Sequence, residues 1–210
     1  MGSGAVAATE KQRTFTETAR RTQIIEAAID TIAEVGFARA SLARIGERIG
    51  ISKGLIGYHF AGKDDLIKEV VSEVVERGMA YMQPRIIAEM STGSGFLRIY
   101  IESNLAFMRD HRNYMVALVE IRRGIIADGL EHLNADVDAA EHVLEEHLAR
   151  YQDQGQLRPD FDPRVMAVAI RAIIDAVPRR LAHDPGLDVD TYAAGIADIF
   201  HRATSIPQTA

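Results

Sequence analysis

With 210 residues, 47% hydrophobic and 26% charged, the chain has the composition of an ordinary globular protein of one or two domains. The absence of cysteine excludes disulfides, thiolate metal sites and a cysteine nucleophile, and no apolar run reaches the ~18 residues of a membrane span, while Met1–Thr9 lacks the pattern of a secretory signal, so a cytoplasmic location is expected. The net charge of −6 divides unevenly, with nine Lys/Arg against five Asp/Glu from Lys11 to Lys63 and 15 against 24 from Asp64 onward, which suggests a polyanion partner for the first part only, or else chance clustering.

In chain order, residues 1–18 lack an apolar period and read as a flexible arm with a basic end (Lys11, Arg13, then Arg20 and Arg21). Such an arm can lie along phosphates, or simply be solvated. Arg20–Val35 predicts an amphipathic helix, with Ile24, Ala28, Ile32 and Val35 on one face and Ile25 and Ile29 alongside. Gly36 ends it, and Phe37 is expected to pack back on it. Ser41 is an N-cap candidate for a short helix, Leu42–Ile49, whose inner face carries Leu42, Ile45 and Ile49. Gly50 ends that helix, and Ser52 caps a second short one from Lys53 to about Phe60. A long helix follows from Lys63, with Asp64 and Asp65 in its first turn, where the helix dipole favours acids. Pro84 should kink or end it. Met90–Gly95 has linker composition.

Helices then follow one another: Phe96–His111, Asn113 to about Ile126, a turn at Asp128-Gly129, Asp136–Gln154, a helix capped by Asp162 and opened by Pro163, and a short last one over Thr191–Ala203. Pro178 should bend the second-last. No segment has a strand's two-residue period. The fold class is therefore all-α, with about nine helices: a three-helix N-terminal domain over residues 19–65 and a helical ligand-binding and dimerisation bundle over 66–205.

The informative stretch is Ser41–Lys63, two short helices joined by Gly50-Ile51-Ser52, the pattern of a helix-turn-helix. A helix of about two turns needs only a small apolar face to dock, leaving the other free. Its N-terminus offers N–H groups to phosphate, and its first residues can reach base edges in the major groove. Taken singly, Ser41 and Ser52 could be helix caps and nothing more, Arg48 either a solvated side chain or a DNA contact, and His59 unremarkable.

Over about Arg20–Val75 the chain closely resembles the TetR family of regulators. The resemblance is carried by Glu34-Val35-Gly36-Phe37, Ala40-Ser41-Leu42, Ile45, Gly50-Ile51-Ser52-Lys53-Gly54, Tyr58-His59-Phe60 and Lys63-Asp64-Asp65-Leu66. It implies a homodimer on a palindromic double-stranded DNA operator, usually a repressor released by a small-molecule effector. It also implies DNA-facing roles for Ser41 (phosphate), Arg44 (guanine edge), Ser52, Lys53, Gly54 and Leu55 (start of the recognition helix), Tyr58 and His59, and Lys63 as a phosphate clamp. Two departures stand out. Gly57 occupies a position where the family usually has tyrosine, and Leu55 replaces a common threonine, so it would meet a thymine methyl instead of donating a hydrogen bond.

Further on, Phe107–Arg123 and the helix after Asp162-Pro163 resemble the regulatory domain of the choline-responsive BetI-like branch; a shared fold is not a shared ligand, so choline is not carried over. Met82, Phe96, Tyr100, Phe107, Met108, Tyr114, Met115 and Met166 are the ligand-pocket candidates, or alternatively plain core. Glu120 could face a cationic ligand, pair with Arg122 or Arg123, or be solvated. The helix from Pro163 is apolar nearly all round, so Ile170, Ile173, Ile174 and Val177, with Tyr192, Ile196, Ile199 and Phe200 on the last helix, are the dimer-interface candidates.

Catalysis is not expected. The seven histidines are scattered, His142 and His147 are off the spacing that puts two ligands on one helix face, and there is no phosphate loop, nucleophile elbow or zinc motif. Glu141, Glu145 and Glu146, near Arg150, read as an exposed helix face. No metal or cofactor is expected. The competing reading is a helical ligand-binding or scaffold protein that never touches DNA.

Overall fold

The computed structural model describes the backbone of residues 3–89, 95–128, 137–184 and 186–206, and their side chains except at 3–15, 89, 127–128 and 137–139. The described residues form nine helices and no strand. They are α1 (Ser3–Val35), α2 (Leu42–Arg48), α3 (Lys53–His59), α4 (Lys63–Glu89), α5 (Phe96–Asp110), α6 (Arg112–Asp128), α7 (Val137–Asp153), α8 (Pro163–His183) and α9 (Val189–Thr204).

The largest departure from expectation is the start of α1, which lies at Ser3, inside the segment read as an arm. Apolar periodicity reports only the part of a helix that docks. Residues 16–19 are exposed, and α1 enters the core at Ile24. Upstream, the run is rich in alanine and other good helix formers, whose intrinsic preference needs no apolar period. Pro84 does not end α4, which continues to Glu89; the proline is exposed and removes one backbone donor. Pro178 likewise lies within α8. Most of the linker and the residue after Asp128 fall outside the described residues.

Three helices make the head. Ile24, Ile25, Ala28, Ile29 and Ile32 of α1 are buried, and each short helix docks through a fully buried isoleucine, Ile45 on α2 and Ile56 on α3. Burying such a side chain stabilises by roughly 1.5–3 kcal/mol, so these two residues, with half-buried Leu42, Ile49 and Ile51, hold the pair in place. Leu66, Ile67, Val70 and Val74 carry α4 from the head into the body. There α4 packs on α5, α5 on α9, α7 on α8, and α8 on α6, while α1 lies against α6 and closes the head onto the body.

Candidate nucleic-acid interface

The helix-turn-helix is fixed by backbone geometry at three places. Ser41 accepts from the Arg44 N–H and Ser52 from the Leu55 N–H, both at 3.2 Å, so each serine caps its helix. Between the helices Gly50 has φ +69°, a left-handed turn that favours glycine. The Ile51 N–H donates to the Gly46 carbonyl at 2.9 Å, and a Cβ on Gly46 would stand 2.5 Å from the Ile51 oxygen. Gly46 is thus the residue that lets the turn fold back on α2. The sequence shows it only as a glycine inside a helical pattern, which signals a close approach without naming the partner.

With Ile56 turned inward, Lys53, Gly54, Leu55, Gly57 and Tyr58 of α3 are exposed, Tyr58 to 73%. Neither Lys53 nor the Arg44 side chain on α2 has an acidic partner among the described residues. No atom would lie within 4 Å of a Cβ on Gly57, so the tyrosine common at that position would have had room. His59 differs from its neighbours: it is half-buried, its Nδ1 is enclosed without a hydrogen-bond partner, and its ring meets Tyr58 edge-on at 5.0 Å.

Other basic residues of the head have structural partners. Lys63 donates to the Phe37 carbonyl at 2.6 Å and its ammonium sits 4.1 Å from the Phe37 ring centroid, tying the start of α4 to the corner after α1. Arg21, read from sequence as part of the basic arm, donates to the His59 carbonyl at 2.5 Å, lies 4.4 Å over the Phe60 ring and pairs with Glu69 at 3.1 Å. It clamps the carbonyl end of α3 to α1 and α4. The available signal was its position three and four residues before buried Ile24 and Ile25, which puts its stem on the docking face. Arg48 pairs with Glu34 at 2.6 Å.

Where head meets body, the Phe37 ring lies so close to α6 that a Cβ on Gly124 would overlap it. Nearby, Arg77 of α4 pairs with Glu26 of α1 and Glu73, both at 2.5 Å, and also contacts the Tyr114 hydroxyl of α6, which donates to Glu26 at 3.0 Å. Burial, then the Glu26 hydrogen bond, pushes the Tyr114 hydroxyl up to about 12, so it stays protonated and donating. Asn113 donates to Asp30 at 2.6 Å, a second polar tie between α6 and α1.

In the body, Phe96, Phe107, Met108, Tyr114 and Met115 are buried, and Met82, Tyr100 and Met166 half-buried. None of these eight ligand candidates lines the open cleft of about 310 Å³ bounded by Arg85, Ile99, Glu102, Ser103, Ala106, Asp190 and Ala193. Glu120 pairs with Arg123 at 2.8 Å. Among the dimer candidates, Ile170, Ile174, Val177, Ile196 and Phe200 are buried within the chain itself, Ile173 and Tyr192 are half-buried, and Ile199 is exposed. The apolar residues left outside on α8 are Val165, Val168, Ala169 and Ala172, with Ala182 near its end. A helix that is apolar on two faces does not reveal by periodicity which face docks at home.

Residues 24–70 match the family model for bacterial regulatory proteins of the tetR family. The chain is similar to the transcriptional regulator BetI 1 of Chromohalobacter salexigens, 43% identical over 27% of this chain and 28% of that protein. Over greater length it is similar to the transcriptional repressor AcnR of Corynebacterium jeikeium, 26% identical over 80% of this chain and 85% of that one. In fold it matches the regulator FadR of Bacillus subtilis, solved in complex with stearoyl-CoA, with a TM-score of 0.75 at 20% identity over 85% of this chain and 96% of that one. A capped helix-turn-helix opening onto a long fourth helix, the tetR-family model lying across residues 24–70 and a repressor similar over most of the chain identify it as a DNA-binding transcriptional regulator with a TetR-type helix-turn-helix.

Proposed function

We propose that two copies of the chain hold a palindromic operator as a repressor, and that a small molecule in the helical body releases it. In this reading Ser41 and Ser52 offer their capped helix N-termini to phosphate, Lys53 and Arg44 supply charge, Gly54 permits close approach, Leu55 touches a thymine methyl, and Tyr58 reaches the duplex. His59, half-buried against the Tyr58 ring, and Lys63, bonded to the Phe37 carbonyl, shape the platform. Residues 19–65 form the DNA-binding unit and 66–205 the regulatory unit, with α4 common to both.

Dimerisation uses the outer faces of α8 (Val165, Val168, Ala169, Ala172) and α9 (Gly195, Ile199), an isologous contact. Release follows if the effector favours a body in which α4 and α6 shift, because Phe37 against Gly124 and Tyr114 against Glu26 carry that shift into α1. That FadR holds stearoyl-CoA supports a body of this shape admitting a ligand.

The observation that carries the reading is the outer face of α3: a capped N-terminus followed by exposed Lys53 and Tyr58, with Ile56 seated beneath. The test is an electrophoretic mobility shift on palindromic DNA from beside the protein's own gene, across a salt series. Replacing Lys53 and Tyr58 together by alanine is expected to weaken binding by about a hundredfold and to flatten the salt dependence by about one unit of slope for the lost lysine. Unchanged affinity on every oligonucleotide tried would overturn it.

A further inference from the structure

The body holds one charged pair in an unusual place. Arg171 of α8 points inward with its side chain only 15% exposed, donating to Asp175 at 2.6 Å and to the Tyr100 hydroxyl of α5 at 3.2 Å. Its Nε is buried and has no hydrogen-bond partner among the described residues. Glu141 of α7 lies close enough to favour its charge, and Arg122 of α6 close enough to act on Asp175. Tyr100 continues into an aromatic cluster: Phe96 stacks on it at 5.9 Å, with His147 and Tyr151 of α7 each 5.2 Å from Phe96. The interior cation thus meets, at the Tyr100 hydroxyl, one end of an aromatic cluster that spans α5 and α7.

As a purely structural device this pair is a poor choice. Apolar residues of similar volume in a buried pair's place are often as stable or more so. An unpaired buried donor adds a further cost. Asp175 also compensates only in part: it meets one terminal nitrogen, while Nε and that nitrogen together form the edge that takes a carboxylate two-pronged.

We infer that Arg171 is the anchor for the carboxylate head of an amphipathic effector, which takes the Nε edge of the guanidinium now half-satisfied by Asp175 and lays its apolar part against the Phe96–Tyr100–Tyr151 cluster between α5, α7 and α8. This deepens the proposed function and rests on its claim that the body senses a small molecule. Asp175 is the internal competitor: it neutralises Arg171 in the unliganded protein and is displaced on binding. Burial, opposed by Arg171 and Arg122, holds its carboxyl above the usual range, so the competitor is weakened by its own surroundings.

The test compares three probes that share a tail and differ in head: octanoate, octanol and octylamine, titrated by calorimetry into the full-length protein. Octanoate is expected to bind at least about tenfold tighter than either of the others. Arg171→Met should erase that preference by weakening octanoate alone. Asp175→Asn, which removes the competitor and keeps the anchor, should tighten octanoate about tenfold, and it preserves the test if Arg171→Met fails to fold. No saturable octanoate binding, equal binding of the three probes, or octanoate binding undiminished in folded Arg171→Met or not tightened in folded Asp175→Asn overturns the inference. Operator binding is read separately. Octanoate bound through Arg171 without operator release would leave the anchor standing and sink the repressor-release reading. Release by another compound that is indifferent to Arg171 would do the reverse.

Discussion

On α2 and α3, Arg44 and Lys53 stand exposed without an acidic partner among the described residues, whereas on α4 to α9 Arg77, Arg98, Arg109, Arg158 and Arg171 each lie against a carboxylate. The head is not uniformly open, since Arg21 and Arg48 are paired with Glu69 and Glu34. What separates the two regions is that the unpaired cations of the recognition motif stand beside capped helix ends and an exposed tyrosine. Among the described residues, the unpaired cations of the body, such as Lys68 of α4 and Arg164 and Arg179 at opposite ends of α8, are scattered, and its buried Arg171 is paired only in part. A net charge of −6 conceals this, because a polyanion responds to the local field within about 10 Å and not to the sum. Lys63 donates one of its three ammonium hydrogens to the Phe37 carbonyl and sits over the Phe37 ring, which fixes it at the corner after α1.

The comparison breaks most completely at Gly46. Valine there would drive a Cβ into the Ile51 carbonyl, a backbone atom that cannot swing aside. A loss of about 3 kcal/mol is expected, read as a lower urea midpoint, with operator binding abolished. A variant that keeps both midpoint and operator affinity would show that the turn is not set by this approach. Next in size is Arg21→Met, which removes the donor to the His59 carbonyl and the cation over Phe60. Because the side chain is partly exposed, about 1–2 kcal/mol is expected, with operator affinity down about tenfold. Arg98→Met, on the α5–α9 side of the body, serves as the control and should leave operator affinity unchanged. If the two variants bind alike, the head has no special dependence on its clamp.

How much could be read in advance follows the same division. The helix-turn-helix was legible because its signals are local: Ser41 and Ser52 as caps, Gly36 and Gly50 as left-handed ends, and isoleucines at helical spacing. Arg21, Gly46 and Gly124 were not, because each acts on a partner distant in sequence or on a backbone atom that no side-chain pattern encodes. In the body, Ile170, Ile174 and Val177 were identifiable as buried, but not as buried within one chain, since periodicity marks a face without naming its neighbour. Tyr114 had the character of a pocket residue and turned out to sit in the polar junction with Glu26 and Arg77.

A smaller effect sharpens the account of α3. Gly54 and Gly57 weaken a seven-residue helix, and Gly57 is exposed with open space around its Cβ position. Gly57→Ala is therefore expected to raise stability by up to about 1 kcal/mol without weakening operator binding, measured by thermal unfolding and mobility shift. Gly57→Tyr adds a ring on the exposed side and should tighten binding to the same operator. If Gly57→Ala instead weakens DNA binding, glycine is needed there for close approach to the duplex, and the recognition surface takes in the Gly57 position as well as Lys53 and Tyr58.

The least effect is expected from acid titration of the body's ion pairs. Arg98 holds the Asp198 carboxyl below its ordinary value, and Arg109, with the Tyr81 hydroxyl, does the same for Asp110. A carboxylate with a depressed folded-state value stabilises fully above its unfolded value of 3.8 and loses that contribution as the pH falls through the lower folded one. Asp175 runs the other way: its folded value is raised, so the cost of keeping it charged is largest at neutral pH and is relieved as the pH drops toward 3.8. Urea midpoints followed from pH 7 to 3 should therefore hold level or rise slightly before falling below about pH 4. Asp198→Asn should lower the neutral-pH midpoint slightly and make the acid fall shallower. An acid limb identical to the parent's would mean that the Arg98 pair, exposed as it is, adds nothing to the body, and that Arg98 on the α5–α9 side is as available to an outside partner as Arg44 and Lys53 are on the head.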